Sequence, residues 1–161
     1  MTYTQHYDSP LGGILLAGDD VGLTGLWFDG QKYFARGLSN ERIEQETSVL
    51  AEAKRWLDIY FTGKEPDFTP PLHPIGSAFR RSVWEILLQI PYGQTTTYGE
   101  IARQLAKKQG LDRMSAQAVG GTVGHNEISI IIPCHRVVGA DGSLTGYAGG
   151  IGKKEKLLEL E

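Results

Sequence analysis

The segment from Ile130 to Val138 places three residue types that could do chemistry in consecutive positions. Cys134 is the only cysteine of the chain, and His135 and Arg136 follow it directly after an apolar run and Pro133. A thiol is a strong nucleophile only as its thiolate, which neighbouring cationic or proton-accepting groups make easier to form. The pattern predicts a cysteine nucleophile, although a lone cysteine is also a common residue of buried cores.

The composition limits the class of protein and the compartment in which this nucleophile is expected. Hydrophobic residues make up 40% of the chain and charged residues 22%, as in ordinary globular proteins. A single cysteine allows no disulfide within the chain, and the N-terminal residues lack the pattern of a signal peptide. No apolar stretch approaches the roughly 18 residues of a membrane span. We therefore predict a cytoplasmic protein without membrane contact, and four scattered histidines predict no metal site.

The charge is divided unevenly along the chain. The overall net charge is −3, but residues 1–75 carry −5 and residues 76–161 carry +2. An acidic first part and a mildly basic second part are compatible with a protein whose second half alone contacts phosphate. Many proteins that bind no nucleic acid have a similar balance of charge.

The first half of the sequence predicts a small α/β unit. Apolar runs at Gly13–Ala17 and Gly22–Phe28 predict two strands, and a helical pattern capped by Asn40 continues to about Phe61. The proline-rich stretch Pro66–Pro74 predicts an extended linker rather than a packed element. The predicted domains are therefore residues 1–74 and residues 75–161.

The second half predicts mainly helices. Ser77 can cap a first helix, a second spans about Tyr98–Lys107, and a third spans Ser115–Val123, which together resemble a helix-turn-helix. The third helix consists of small residues and contains two adjacent glycines. Small residues allow a helix to approach a partner closely, and ordinary packing against another helix explains them equally well.

Taken together, these motifs resemble those of the O6-alkylguanine-DNA alkyltransferases, also called methylated-DNA–protein cysteine methyltransferases. The resemblance spans about Phe79–Glu161 and implies an α/β (α+β) protein, with a ribonuclease H-like N-terminal domain and a mostly helical, winged-helix-like C-terminal domain. The residues that carry it are Ile132–Val138, Ala118–Gly121, Asn126, Tyr98 and Gly146–Gly150.

The resemblance implies a role for each matching catalytic position. Cys134 would take the alkyl group from the O6 oxygen of guanine, and His135 would remove the thiol proton through a bound water. Glu161 would orient that histidine, and Asn126 would hold the turn before the cysteine strand. Tyr98 would stabilise the departing guanine and help to rotate the nucleotide. The thioether product is stable, so we expect one repair per molecule and no cofactor.

The resemblance also implies how the substrate is held. Main-chain groups around Cys134, Val137 and Ala148 would read the flipped base, Tyr147 would form an aromatic wall, and Pro133 would support the site. The partner would be duplex DNA that contains O6-alkylguanine, entered from the minor groove by a monomer. The residues expected to contact DNA are Ser115, Ala116, Gln117, Ala118, Gly120 and Gly99.

Four positions need separate interpretation. Gln117 stands where many members of the family carry an arginine that enters the base stack, and glutamine brings no charge. Arg113 would share the helix face of Gln117 if the helix extended back that far. Arg136 could touch phosphate, but an internal ion pair or carbonyl bond is favoured. Glu161 is the last residue of the chain, where fraying is common.

Three other functions compete with repair. A related binding protein would recognise the damaged base without repairing it, but such proteins carry tryptophan where this chain has Cys134. A thiol hydrolase could use Cys134 and His135 as a dyad, although no oxyanion hole is marked in the sequence. A regulator would use methylation to change its affinity for DNA.

Overall fold

A four-stranded sheet forms the centre of the N-terminal half in the computed structural model, which describes residues 1–161. The strands follow the order β3-β2-β1-β4 across the sheet. The β1–β2 and β2–β3 pairs are antiparallel, whereas β4 runs parallel to β1. Their bounds are Thr2–Ser9 for β1, Gly12–Gly18 for β2, Leu23–Phe28 for β3 and Arg42–Glu44 for β4.

Both faces of this sheet are covered, which explains why the apolar runs show no alternation with polar residues. Ile14 and Leu16 of β2 belong to the main core, while Leu15 and Ala17 pack on the other face with Trp27. A strand that is buried on both faces reads as a continuous apolar run. The two predicted strands are confirmed, and the polar strand β1 was not predicted because it lacks such a run.

The helix that follows begins later than its sequence pattern predicts. Helix α1 spans Ser48–Tyr60, and the hydroxyl of Thr47 accepts a hydrogen bond from the Leu50 amide at 3.2 Å. The prediction that Asn40 caps this helix is wrong. The chain after Asn40 forms strand β4 instead, because residues 42–44 pair with the edge of β1.

The proline-rich stretch is extended, as predicted, but it is not separate from the fold. The Leu23 amide donates to the Pro71 carbonyl, and the His73 amide donates to the Leu23 carbonyl, each at 2.7 Å. The stretch therefore adds a short backbone pairing to the outer edge of β3, around Leu72. Proline at the edge of a sheet is tolerated because its missing amide is not needed there.

The C-terminal half consists of four α-helices and a small two-stranded sheet. The helices are α2 (Ala78–Leu88), α3 (Tyr98–Lys108), α4 (Ala116–Gly124) and α5 (Ile151–Leu160). The predicted cap of α2 is confirmed, since Ser77 accepts from the Arg80 amide; Ser115, at which the third helix was predicted to begin, caps α4 by accepting from the Ala118 amide. Helix α5 was not predicted. None of the helices is both long and apolar enough to cross a membrane.

The two halves share one hydrophobic core and are joined by backbone hydrogen bonds. The Leu26 amide of β3 donates to the Glu127 carbonyl at 2.8 Å, and the Ser129 amide donates back to the Leu26 carbonyl at 3.0 Å. Leu26 and Ile128 thus form a parallel bridge. The N-terminal sheet fixes the segment that leads to Cys134, and the boundary between residues 74 and 75 remains a prediction.

Candidate active site around Cys134

Cys134 lies in a tight turn rather than in a strand. Residues Cys134–Arg136 form a single turn of 3-10 helix, and the Cys134 amide donates to the Ile132 carbonyl at 2.8 Å. Ile130 just before this turn has a φ of 69°, a backbone conformation that β-branched residues rarely adopt. The expected cysteine strand is therefore wrong, because the chain turns sharply after its short pairing with β3. Such strained backbone requires support from its surroundings.

Asn126 provides that support through a buried side-chain amide. Its nitrogen lies 3.1 Å from the Ile128 carbonyl oxygen, 2.8 Å from the Ile132 carbonyl oxygen and 3.2 Å from Cys134 Sγ. Its oxygen accepts a hydrogen bond from the Ile128 amide at 3.0 Å. One amide therefore holds both ends of the strained segment and donates to the sulfur that it presents.

We expect Asn126→Ala to lower the free energy of unfolding by about 2–3 kcal/mol, because the buried Ile128 amide loses its acceptor and the Ile128 and Ile132 carbonyls each lose one of two donors. Cys134 Sγ would also lose its hydrogen-bond donor, and the rate of alkyl transfer to this sulfur should therefore fall. Urea denaturation followed by tryptophan fluorescence measures the first effect. Asn40→Ala is the control, since Asn40 is exposed and outside the site. Equal stability of the two variants would show that Asn126 does not hold the turn.

His135 is completely buried and is bound on one side only. Its Nε2 lies 2.7 Å from Glu161 Oε2, and its Nδ1 has no hydrogen-bond partner. The hydroxyl of Tyr60, at the end of α1, donates to the same Glu161 oxygen at 2.7 Å. No hydrogen bond joins His135 directly to Cys134, which leaves Nδ1 as the nitrogen free to take a proton.

Arg136 completes the binding of Glu161 from the other side. Its Nε donates to Glu161 Oε1 at 2.8 Å, its Nη2 to Oε2 at 3.0 Å and its Nη1 to the Ile90 carbonyl at 2.8 Å. The Gly93 amide also donates to Glu161 Oε1. Arg136 is therefore an internal partner and is largely unavailable for phosphate. The expected fraying of Glu161 is wrong, because its carboxylate is only 1% exposed and fully bonded.

The pKa values of these groups follow from their burial and partners. Burial raises the pKa of Glu161, but the hydrogen bonds from His135 and Arg136 outweigh it and hold the pKa at about 2. Burial lowers the pKa of His135 and raises that of the Cys134 thiol to about 11. The resting site thus holds a thiol and a neutral imidazole, which suits a histidine that accepts the thiol proton during the reaction.

Tyr98 and the 146–150 loop form the opposite wall of the site. Pairing of β5 (Thr96–Thr97) with β6 (Val137–Val138) places the start of α3 beside the cysteine turn. The Tyr98 hydroxyl donates to the Thr145 carbonyl at 3.0 Å, and burial raises its pKa. Gly146 has a φ of 69°, and a Cβ there would lie 3.1 Å from that hydroxyl, so the loop requires glycine.

Tyr147 is buried beside His135, with its ring edge-on to the imidazole at a centroid distance of 6.5 Å. Next to it, the Ala148 carbonyl accepts a hydrogen bond from the Lys32 amide at 3.1 Å. An open cleft of about 500 Å³ lies between this loop, the glycines of α4 and residues Lys32 and Tyr33. The N-terminal half therefore contributes to the rim of the site, which the sequence did not indicate.

The first turn of helix α4 is exposed beside this cleft. Ala116, Gln117 and Ala118 are exposed after the capping Ser115, and a Cβ on Gly120 would lie 3.7 Å from the Tyr98 ring. Gly99 is exposed at the start of α3. Because α4 begins at Ala116, Arg113 lies outside the helix and does not share the face of Gln117.

Two family models match this chain along nearly its whole length. Residues 2–74 match the ribonuclease-like domain of 6-O-methylguanine DNA methyltransferase, and residues 78–161 match the DNA binding domain of the same protein. The chain belongs to the 6-O-methylguanine DNA methyltransferase family. Its fold class is accordingly confirmed as mixed α/β with a ribonuclease-like N-terminal domain and a DNA binding C-terminal domain.

Individual members of the family are similar over their full length. The methylated-DNA–protein-cysteine methyltransferase of Methanosarcina acetivorans is 44% identical, over 99% of this chain and 97% of its own. The enzyme of the same name from Mycobacterium tuberculosis H37Rv is 43% identical, over 100% of this chain and 93% of its own.

Solved structures give the same result. The crystal structure of Mycobacterium tuberculosis OGT in complex with DNA superposes with a TM-score of 0.83 at 42% identity, over 98% of this chain and 91% of that chain. The O6-methylguanine DNA methyltransferase of Methanococcus jannaschii superposes with a TM-score of 0.64 at 29% identity, over 97% and 92% of the two chains.

The structure brings most of the predicted catalytic residues together, but it also adds some that sequence reasoning missed. Cys134, His135, Asn126 and Glu161 form one bonded cluster, with Tyr98 on the opposite wall. Tyr60 was not predicted because nothing in its helical pattern distinguishes it from a core residue. Lys154 was also missed, although its spacing from Leu157 places both on one face of α5, the helix that ends just before Glu161.

Proposed function

We propose that this protein repairs O6-alkylguanine in DNA by transferring the alkyl group irreversibly to Cys134. The observation that carries the proposal is the buried cluster in which Asn126 holds the sulfur and Glu161 holds His135, in a chain of the 6-O-methylguanine DNA methyltransferase family. The protein is a methylated-DNA–protein-cysteine methyltransferase that reverses damage directly, with DNA containing the damaged guanine as its partner.

The first step is activation of the thiol. A bound water carries the Cys134 proton to His135 Nδ1, the ring nitrogen that has no partner in the protein. Glu161 holds the opposite nitrogen and stabilises the imidazolium that results. Asn126 donates to the sulfur and stabilises the thiolate. Each group thus favours the charge-separated state that burial alone would oppose.

The second step is displacement at the alkyl carbon. The thiolate forms a C–S bond as the C–O6 bond breaks, and guanine leaves with the electron pair of that bond. Tyr98 hydrogen-bonds the departing guanine anion, which takes up one proton from water, while the His135 imidazolium releases the thiol proton to water and returns to its neutral form. The thioether has no group beside it that would remove the alkyl chain, and each molecule therefore reacts once.

The DNA face is the exposed side of α4. Its small residues allow close approach to a minor groove, and the cleft beside Tyr147 and Ala148 receives the base once it is rotated out of the duplex. Main-chain groups of Val137 and Ala148 read the base edge there. We propose that the protein acts as a monomer in the cytoplasm, where Cys134 is kept reduced.

Intact mass spectrometry tests the proposal. The protein is mixed with an equimolar duplex that contains one O6-methylguanine, and a control sample receives the unmodified duplex. We expect the mass of one transferred methyl group, mapped to Cys134, in the first sample only. Tight retention of the damaged duplex without a mass gain would make this a lesion-binding protein. The absence of both a mass gain and binding would exclude DNA repair.

Gln117→Arg tests whether the uncharged residue at position 117 weakens the binding of DNA to the exposed side of α4. Gln117 is exposed on α4, where an arginine would add a planar cation next to the base stack. We expect the variant to bind an unmodified duplex roughly tenfold more tightly at low salt, with a steeper salt dependence. Fluorescence anisotropy at several salt concentrations measures both, and Gln104→Arg on α3 is a control with the same change of charge. Equal affinity and equal transfer rate in wild type and Gln117→Arg would disprove the idea.

A further inference from the structure

Three buried polar atoms around the active-site turn have no hydrogen-bond partner within the protein. They are Nδ1 of His135 and the hydroxyl oxygens of Ser129 and Tyr147, and they make up half of the six buried side-chain atoms of this kind in the chain. His135 is 0% exposed, Ser129 1% and Tyr147 8%. A buried polar atom without a partner is costly, because it has given up its hydrogen bonds to water. Three such atoms in one site indicate a partner that they share.

The electrostatic surroundings of Tyr147 place these groups next to one another. Burial raises the pKa of the Tyr147 hydroxyl, the charge of the Cys134 thiolate raises it further, and the Ser129 hydroxyl opposes both effects. The Tyr147 ring also lies edge-on to the imidazole of His135, at a centroid distance of 6.5 Å. The two hydroxyls therefore lie beside the Cys134–His135 pair, yet they bond neither to each other nor to it.

Ser129 owes its position to its backbone and not to its side chain. Its amide donates to the Leu26 carbonyl of β3 at 3.0 Å, and its carbonyl accepts from the Ile131 amide at 2.8 Å. The next residue, Ile130, turns the chain with a φ of 69°. Both backbone groups of Ser129 are thus satisfied, and its hydroxyl is neither a helix cap nor a turn contact.

Water is the partner that suits all three atoms. Nε2 of the neutral His135 ring donates its hydrogen to Glu161, so Nδ1 can only accept, whereas a hydroxyl both donates and accepts. A buried water typically makes about three hydrogen bonds to the protein. The two hydroxyls and Nδ1 supply that number, with the Cys134 thiol as a further neighbour.

We propose that Ser129 is a positioning residue that, together with the Tyr147 hydroxyl, holds a water between the Cys134 thiol and Nδ1 of His135. The inference deepens the proposed function and rests on it for its biological meaning. The water donates to Nδ1 and to one hydroxyl, and it accepts from the other hydroxyl and from the thiol. As the thiol proton passes to the water, the water gives a proton of its own to Nδ1. One S–H bond breaks, one N–H bond forms, and the water is restored.

A crystal structure of the wild-type protein tests the water site directly. We expect one ordered water within hydrogen-bond distance of Ser129 Oγ, the Tyr147 hydroxyl and His135 Nδ1. A Ser129 hydroxyl that bonds to a protein group instead overturns the proposal. So does a map that shows ordered waters elsewhere in the core but none at these three atoms.

Thiol alkylation without DNA tests the role of the water in proton transfer. Iodoacetamide reacts with the thiolate, a C–S bond forms as iodide leaves, and intact mass spectrometry gives the rate. Wild type is compared with Ser129→Ala, Tyr147→Phe and the double variant. Ser82→Ala is the control, because it removes a hydroxyl of α2 that bonds to the Ala78 carbonyl, outside the site.

We expect each single substitution to slow alkylation about tenfold at neutral pH, since the loss of one of its three anchors releases the water. The double variant should be little slower than the single variants, because both hydroxyls hold the same water. Rates equal to that of wild type, or a double effect that is the product of the two single effects, overturn the proposal. The expected rates with iodoacetamide but no transfer from damaged DNA would instead count against the proposed function alone.

¹⁵N NMR of the His135 ring adds a readout that a purely structural role of Ser129 would not change. In wild type, Nδ1 accepts a hydrogen bond from the water, which shifts its resonance upfield of that of a free imidazole nitrogen. We expect a downfield shift toward the free value in Ser129→Ala and no shift in Ser82→Ala. An Nδ1 resonance that is the same in wild type and both variants overturns the proposal.

Discussion

Cys134→Ser is expected to abolish alkyl transfer while leaving the binding of damaged DNA intact. The substitution replaces one atom in a side chain that is 2% exposed, and the DNA face of α4 is untouched. A serine hydroxyl ionises far less readily than a thiol, and its oxygen is a poorer nucleophile toward an alkyl carbon. We expect the transfer rate to fall more than about a thousandfold, which leaves no detectable product.

The measurement combines intact mass spectrometry with a binding titration on the same duplex containing O6-methylguanine. Wild type that has already been alkylated serves as a control for effects of a filled pocket on binding. Thermal denaturation of both proteins confirms that the fold is intact. Residual methyl transfer by Cys134→Ser at a rate near that of wild type would mean that another residue is the nucleophile.

Glu161→Ala is expected to cause the largest loss of stability among single substitutions in the site. Glu161 accepts hydrogen bonds from His135, Arg136, Tyr60 and the Gly93 amide, and its own side chain is only 1% exposed. Its removal leaves a buried guanidinium without its counter-charge, which costs about 3–5 kcal/mol. The transfer rate should fall roughly hundredfold as well, because His135 loses the group that orients it.

Chemical denaturation and single-turnover kinetics measure the two effects of Glu161→Ala. Glu159→Ala is the matched control, since Glu159 lies on the same helix and is exposed. A loss no greater than that of Glu159→Ala would show that the buried cluster does not depend on the carboxylate.

The same carboxylate predicts a defined dependence of stability on pH. The pKa of Glu161 in the folded protein is about 2, below its ordinary value of 4.5, so the unfolded chain takes up the proton first as pH falls. Its contribution to the free energy of unfolding is therefore complete above about pH 5 and is lost as pH falls toward 2. The difference in stability between wild type and Glu161→Gln should shrink over this range.

The amino-acid sequence alone was sufficient to predict those features that depend on residues close together along the chain. The adjacency of Cys134, His135 and Arg136 is covalent, and the family resemblance rested on short segments around them. The cap Ser77 and the start of a helix at Ser115 were predictable because a side chain at the N-terminus of a helix binds the amides of its own first turn. The buried strands β2 and β3 were predictable because burial on both faces leaves a continuous apolar run.

The tertiary structure alone decided how these residues work together. Glu161 is buried because α5 brings it against His135 and Arg136 and because Tyr60 approaches from α1, 101 positions earlier in the chain. The apolar residues before Cys134 predicted an extended strand, but they form a turn. The Asn126 side chain holds this turn by bonding to its backbone groups. Lys154 is buried as a charge among carbonyls. Such contacts join residues that are distant in sequence, and no local pattern of polarity records which partner a buried polar group will find.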